Sequence, residues 1–498
     1  MIGGRLGAVK LHHGDAGQLG ERDDLRQRLV AEDADREHAA LPGVRDERRR
    51  VDRGNGAHAA RREDETDRIR TRADGGVDRL PIAQTAHLHP HVSRLVGPRY
   101  ADRMASVGFV RDLIRPDTGH GAHRVTYVEL FFDLVFVFAI TQLSHILLHQ
   151  QTGLDLLHTV MLAAAVWWVW VFTTWAANWL NPETGWVRGL LIVLMLLGML
   201  LSSAIPEAFG DKAALFAFSL VLMQLTRSVF TFLAFARDHP EHAVNFIRIT
   251  VWHVLPGVFW IAGALAPEQA RLWLWLVALL IDYLGPRIRF WTPGLGPSPL
   301  STWNVSGEHM AERVSLFLII VLGESIIVTG TAFAEHPLDG EHVLAFLAAF
   351  AGTVLLWLLY FNHGERGGSE FISNAPERGM IAQTAYTYIP LLMILGVVLA
   401  AVADGLILEH PSGAAGLWLA WLACAASAVY LLGNLLFRRA VGGRWLYGNL
   451  AGIVVLVGLA VAGPLLSALA LSWLVNVVLF GVVVAEEVVW RREAGRAA

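Results

Sequence analysis

Residues 126–149 read TYVELFFDLVFVFAITQLSHILLH. A helix rises about 1.5 Å per residue, so this run is long enough to cross a hydrocarbon core of roughly 30 Å. It contains no Pro, no Gly and no basic residue other than histidine. Its only acids, Glu129 and Asp133, stand four apart and therefore share one helical face with Thr126 and Ser144, with Thr141 at the edge. A charge at the centre of a bilayer costs ~2.5–3.5 kcal/mol on an insertion scale. The stripe must therefore turn toward other helices or a wet cavity. Glu129 lies nearer the helix start, and Asp133 is about 6 Å deeper by helical rise.

Working outward, the same kind of run recurs. Twelve can be placed: 126–149, 155–179, 186–206, 213–236, 245–266, 270–286, 309–334, 342–362, 379–403, 415–437, 445–463 and 467–489. Turn-forming residues separate them, among them Asn181-Pro182, His239-Pro240, Pro293 to Pro299, His336-Pro337 and Gly442-Gly443. The composition agrees, with 54% hydrophobic residues, 18 Trp and 23 Phe among 498 residues and a mean hydropathy of +0.45. The expected fold is all-α: a polytopic integral membrane protein of about twelve transmembrane helices. Basic residues set the orientation. With a cytoplasmic start at Met104, the inside segments hold sixteen Lys and Arg and the outside loops only Lys212 and Arg271. Both termini are then cytoplasmic.

Residues 1–103 are different. They hold 20 of the 40 Lys and Arg and 18 of the 44 Asp and Glu, with no Phe or Trp. Such a stretch cannot bury enough apolar surface to offset the entropy of ordering, and it has no apolar segment of the signal-peptide kind. Three readings stay open: a disordered tail, a metal-binding tail using His87, His89 and His91, or upstream sequence that is not translated, with initiation at Met104. Its richness in Arg, Asp, Gly, Ala and His favours the last. The expected organisation is 1–103 as that tail, 104–125 a cytoplasmic segment, 126–286 a first six-helix half, 287–308 a cytoplasmic connection, 309–489 a second half and 490–498 a cytoplasmic tail.

The halves resemble one another in places. Ile261-Ala262-Gly263-Ala264-Leu265 is matched by Val461-Ala462-Gly463-Pro464-Leu465, and Trp275-Leu276-Val277 by Trp473-Leu474-Val475. Six spans per half preserve direction, so these would be parallel repeats, an arrangement many transporters use.

Polar groups inside the spans are the candidate site. Glu324 lies near the middle of the seventh span, with Arg313 and Thr331 on its face and Glu312 pointing elsewhere. Arg227 is near the middle of the fourth, His253 near the centre of the fifth, and Asp282, Glu486 and Glu487 close to cytoplasmic ends where they can reach the interface. Asp133, Glu129 and Glu324 could form an ion or proton relay. They could equally be structural, with Arg227 or Arg313 as counter-charge. His253 reads as a hydrogen-bonded core residue. His309 and Glu312 have a spacing that can hold a metal, but alone it does not make a site. Enzyme motifs are absent, the net charge of −4 gives nucleic acid no purchase, and no cofactor or metal is expected. Partners are the lipid bilayer and a small solute or ion.

Two segments carry a specific likeness. Residues Glu129 to His145, and His309-Met310-Ala311-Glu312-Arg313 with Ile319 to Ser325, resemble the two signatures of the bacterial low-temperature-requirement A family. Val314-Ser315 depart from it, where the family often has an aromatic residue or His followed by Gly. The resemblance covers about 120–490. It implies a multi-span membrane protein linked to growth in the cold, and it carries over Glu129, Asp133, Glu312, Arg313, Gly323 and Glu324. It implies no reaction, which leaves a transporter or channel and a non-transporting sensor or assembly factor as the two functional readings.

Overall fold

A computed structural model describes residues 113–115, 124–149, 151–303, 306–362, 383–441 and 445–497. The proposed start at Met104 and the histidines at 87, 89 and 91 lie outside the described residues. Within them there are twelve α-helices and no β-strand: α1 Tyr127–His149, α2 Gly153–Trp179, α3 Gly185–Ala204, α4 Ala213–Phe235, α5 Pro240–Leu265, α6 Glu268–Arg287, α7 Gly307–Ala334, α8 Gly340–Phe361, α9 Pro390–Glu409, α10 Gly416–Ala440, α11 Tyr447–Ala462 and α12 Ala468–Ala497. Eleven are long and apolar enough to cross a membrane.

The exception, α6, has the length but carries two inward charges. Arg271 donates to the Gly210, Gly263 and Ala266 carbonyls at 3.1, 3.2 and 3.3 Å and also to that of Phe209. It thereby adds donors to carbonyls at the end of α5 and in the turn before α4. Asp282 accepts from Trp260 Nε1 at 3.2 Å. Asp282 is thus buried among helices, and so is Glu486, which pairs with Arg438 at 3.3 Å. The expectation that both reach the interface fails for them. Glu487 is half-buried, 2.6 Å from the exposed Arg491.

Expected ends shift in two places. The ninth span, expected to close at 403, runs to Glu409 after a π-helical turn at Gln383–Tyr388. The last helix continues through Ala497 rather than ending at 489.

Within the first six helices α1 packs on α2 and α3, α2 on α4 and α6, and α3 to α6 in series. The same pairings hold with every number raised by six: α7 on α8 and α9, α8 on α10 and α12, and α9 to α12 in series. The two sets meet through α1 and α2 on one side and α7 and α9 on the other. Lipid tails give helices no hydrophobic reason to associate, so close packing must hold them. Between α9 and α10 it is extreme. A Cβ on Gly396 would lie 2.9 Å from both Ala426 O and Tyr430 N, and one on Gly433 3.0 Å from Met393 N. Helix α2 is the hub, buried on nearly every side, with Trp167, Trp168, Trp170 and Trp175 all inside. Leu196, Val258, Leu280, Val454 and Phe480 point outward instead, as lipid-facing residues should.

Candidate functional site

The site is a seam between α1 and α7, and its assembly begins at the helix ends. The segment Leu113–Arg115 lies against the end of α2, with Arg115 N donating to Trp179 O and Asn181 N to Leu113 O, both at 2.8 Å. Arg115 Nε then donates to the Ala177 and Leu180 carbonyls at 3.0 Å, which α2 leaves without intrahelical donors. Burial pulls the Arg115 guanidinium below the usual arginine range, while its neighbour Glu129 opposes the shift. Its Nη2 reaches that carboxylate at 3.1 Å.

Glu129 is the third residue of α1 and acts as half of a capping box. Its Oε2 accepts from the Thr126 amide and hydroxyl, both at 2.8 Å. Its Oε1 accepts from Arg115 and from His309 Nε2 at 2.9 Å. On the other helix, Asn178 of α2 clamps the start of α7. Its Oδ1 accepts from Ser306 N at 2.9 Å and its Nδ2 donates to Ser306 O at 3.1 Å. Because the backbone amide can only donate, these bonds fix which end of the Asn178 amide is which. Nδ2 must therefore donate to His309 Nδ1, 3.2 Å away. His309 is then the neutral Nε2–H tautomer, giving its one proton to Glu129. Glu312 accepts from Val125 N at 3.1 Å, so that family residue holds the entry of α1 against α7.

Four residues deeper the pairing repeats. Arg313 Nη2 lies 2.6 Å from Asp133 Oδ1, with the side chains 1% and 0% exposed. Trp170 Nε1 donates to the same oxygen at 2.7 Å, and the guanidinium lies over the Trp170 ring, 5.6 Å from its centroid. Unlike Glu129, this pair is not saturated. Asp133 Oδ2 and Arg313 Nε and Nη1 are buried with no hydrogen-bond partner among the described residues. Further along α7, about 16 Å from Arg313 by helical rise, Glu324 is 2% exposed. It faces Thr141 and His145 of α1, and its Oε1 is also unpartnered.

The two inter-helix pairs share a register. Glu129 with His309 and Asp133 with Arg313 are both 180 positions apart, and α1 and α7 also start 180 apart, at Tyr127 and Gly307. The helices run parallel and meet at equivalent positions, acid on one and base on the other.

Arg227 does not take the role expected of it. Its Nη1 donates to Val169 O at 3.1 Å and Thr173 Oγ1 at 3.2 Å, it lies over Phe172, and the carboxylate facing it is Asp282. Asp133 and Glu324 belong to the α1–α7 seam, whereas Arg227 is committed to α2 and α6. Arg313 is the counter-charge of Asp133. His253 bonds Ser228 Oγ at 2.8 Å, a core hydrogen bond. Gly323 has no atom near the place a Cβ would occupy, so packing does not account for that glycine. Among the described residues no three His, Cys, Asp or Glu side chains converge on a possible metal position.

The model of the bacterial low temperature requirement A protein (LtrA) family matches residues 124–484. The chain belongs to the LtrA family. Among curated relatives it is similar to an uncharacterized protein, RA0937, of Rhizobium meliloti (strain 1021), 36% identical over 367 residues that cover 73% of this chain and 89% of that protein. No solved structure matches. The LtrA match starts at Arg124, ahead of α1, and takes in the α1 and α7 residues of the seam but not Arg115.

One carboxylate escaped the sequence reading. Asp404 on α9 follows directly on 403, where the ninth span was expected to end, and so was never weighed as an intramembrane group. The hydropathy of Leu406-Ile407-Leu408 beyond it was the signal that the span continues.

Proposed function

We propose that this LtrA protein moves a small cation or solute across the bacterial inner membrane, with both termini cytoplasmic and the α1–α7 seam as its working surface. Two parallel six-helix halves meet there. The observation that carries the reading is the set of partnerless polar atoms on Asp133, Arg313 and Glu324. Leaving such atoms unmatched in a low-dielectric interior is expensive. A structural ion pair would be expected to use its remaining atoms on neighbours, as Glu129 does. Glu129, His309 and Arg115 form a closed end of the seam. Asp133 with Arg313 is the pair that can exchange partners, and Glu324 is the mid-depth acid open to a cation or proton. The repeated helix pairings support two halves that shift against each other.

A second reading, a non-transporting membrane sensor or assembly factor for adaptation to cold, is favoured by the saturation of Glu129 and the tight Arg313–Asp133 contact, which suit a lock. Flux separates the two. Purified full chain in liposomes with an internal pH dye is exposed to imposed H⁺, Na⁺ and K⁺ gradients. Transport predicts flux that Glu324→Gln abolishes in protein that still elutes as a folded species. Absence of flux under every gradient, from folded protein, favours the second reading.

A further inference from the structure

A second polar site lies away from the seam, between α8, α9, α10 and α12. A cavity of about 30 Å³ is lined there by Thr353, Asp404, Ser427, Ser472 and Asn476, with room left by Gly352, Ala400, Ala403 and Ala423. Asp404 is the only charged side chain in the lining, and it has no hydrogen bond or ion pair among the described residues. Its neighbours present oxygen. Asn476 spends its Nδ2 on Ala348 O at 2.7 Å, which fixes the amide orientation and leaves Oδ1 against Gly352, 3.0 Å from where a Cβ would stand. Thr353 gives its proton to Ala349 O at 3.2 Å and accepts from Ser325 Oγ at 3.3 Å, which leaves it one lone pair and no proton to offer the cavity.

One carboxylate, an amide oxygen and three hydroxyls, with no basic side chain in the lining, is the donor set of a hard metal ion. The charge count selects its valence, because one carboxylate balances one positive charge and a divalent ion would remain half compensated. The absence of His and Cys from the lining disfavours softer metals. Size selects further: the hollow holds an ion and one or two waters, on the order of 10–15 Å³ each, and no organic solute. We infer that Asp404, Asn476, Ser427, Ser472 and Thr353 form a binding site for a small alkali cation of sodium size. This is a site distinct from the seam, so it stands whether or not the seam conducts.

The test is equilibrium binding of ²²Na⁺ to purified full chain in detergent, by scintillation proximity. The expected result is saturable binding of one ion per chain, displaced by Li⁺ more readily than by the larger K⁺. Asp404→Asn, close to isosteric, weakens it by about a hundredfold or more. Ser427→Ala and Gly352→Ala, the latter crowding Asn476 Oδ1, weaken it less and cover the case in which Asp404→Asn fails to fold. Folded wild-type protein that binds no ²²Na⁺, or that binds it equally with Asp404→Asn, overturns the assignment. Protons taken up without sodium overturn it too, since Asp404 would then be simply a protonated carboxyl. Binding needs no flux, so a failed transport assay and a failed binding assay are separate results.

Discussion

Replacing Asp133 by Asn isolates the charge of the deeper pair. Asn keeps an Oδ1 that can accept from Trp170 and Arg313, and its Nδ2 takes the place of Oδ2, which has no partner. Shape is therefore conserved and only the countercharge to Arg313 is removed. The contact is 2.6 Å and both side chains are essentially unexposed, so solvent cannot take over from the lost carboxylate. Breaking a buried pair from one side costs about 3–5 kcal/mol. At the usual unfolding entropy per residue, apparent thermal midpoints in detergent should fall by roughly 3–6 °C. Removing both charges, as Asp133→Leu with Arg313→Met, relieves the uncompensated guanidinium and should regain most of the loss, because apolar replacement of a whole buried pair is often neutral or better. Fluorescence-detected size exclusion after heating reads all the variants. An Asp133→Asn protein as stable as wild type, or a double variant as unstable as the sum of its singles, would refute the idea that the two charges answer to each other.

Two further outcomes follow from packing and orientation. Gly396→Ala places a Cβ against backbone atoms of α10, which cannot rotate away, so it should cost more than about 2 kcal/mol; Gly323→Ala meets open space and should leave the thermal midpoint unchanged, and equal effects at the two sites would contradict the helix packing described. For orientation, Cys424 is 1% exposed and gives little background labelling. A cysteine replacing exposed Glu207 should react with a membrane-impermeant maleimide added to spheroplasts, while one replacing exposed Glu183 should react only after lysis; the reverse pattern would invert the assigned topology.

Hydropathy reads depth well and neighbours poorly, and the site shows both. The polar stripe of α1 was legible because Glu129 and Asp133 sit four apart in an otherwise apolar run, and the bilayer tolerates that only if the stripe faces inward. The partner was not legible. Arg227 and Arg313 both look like mid-membrane countercharges along the chain, and choosing between them requires knowing that α1 packs on α7. Helical phase placed Arg313 on the same face as Glu324 but could not say that this face meets α1 at the register that aligns Asp133. Asp404 was lost for another reason. A charge near the end of an apolar run reads as the point where the membrane stops, when it can also be a charge the membrane encloses.

That ambiguity has a physical core in the α1–α7 contact. Two copies of one helix brought together in parallel at equivalent positions would oppose like with like, and two acids or two guanidiniums in a dry seam repel and cannot both remain charged. On the proposed duplication, this is where the two halves are obliged to differ. They do so at both levels, with Glu129 accepting from the neutral His309 and Asp133 paired with the guanidinium of Arg313, while helix pairings elsewhere repeat. The consequence is directional. The acids at these two levels come from α1 and the helix-borne bases from α7; Glu129 also has Arg115 from the segment ahead of α1, so Asp133 is the acid whose countercharge comes from the other half alone. Sliding the halves along the seam would leave Glu129 with Arg115 but part Asp133 from Arg313, and that level would need an incoming ion or proton to compensate it. Glu324 lies farther along the same seam with its Oε1 unpartnered, where a cation arriving between the halves would first find a carboxylate that no arginine holds.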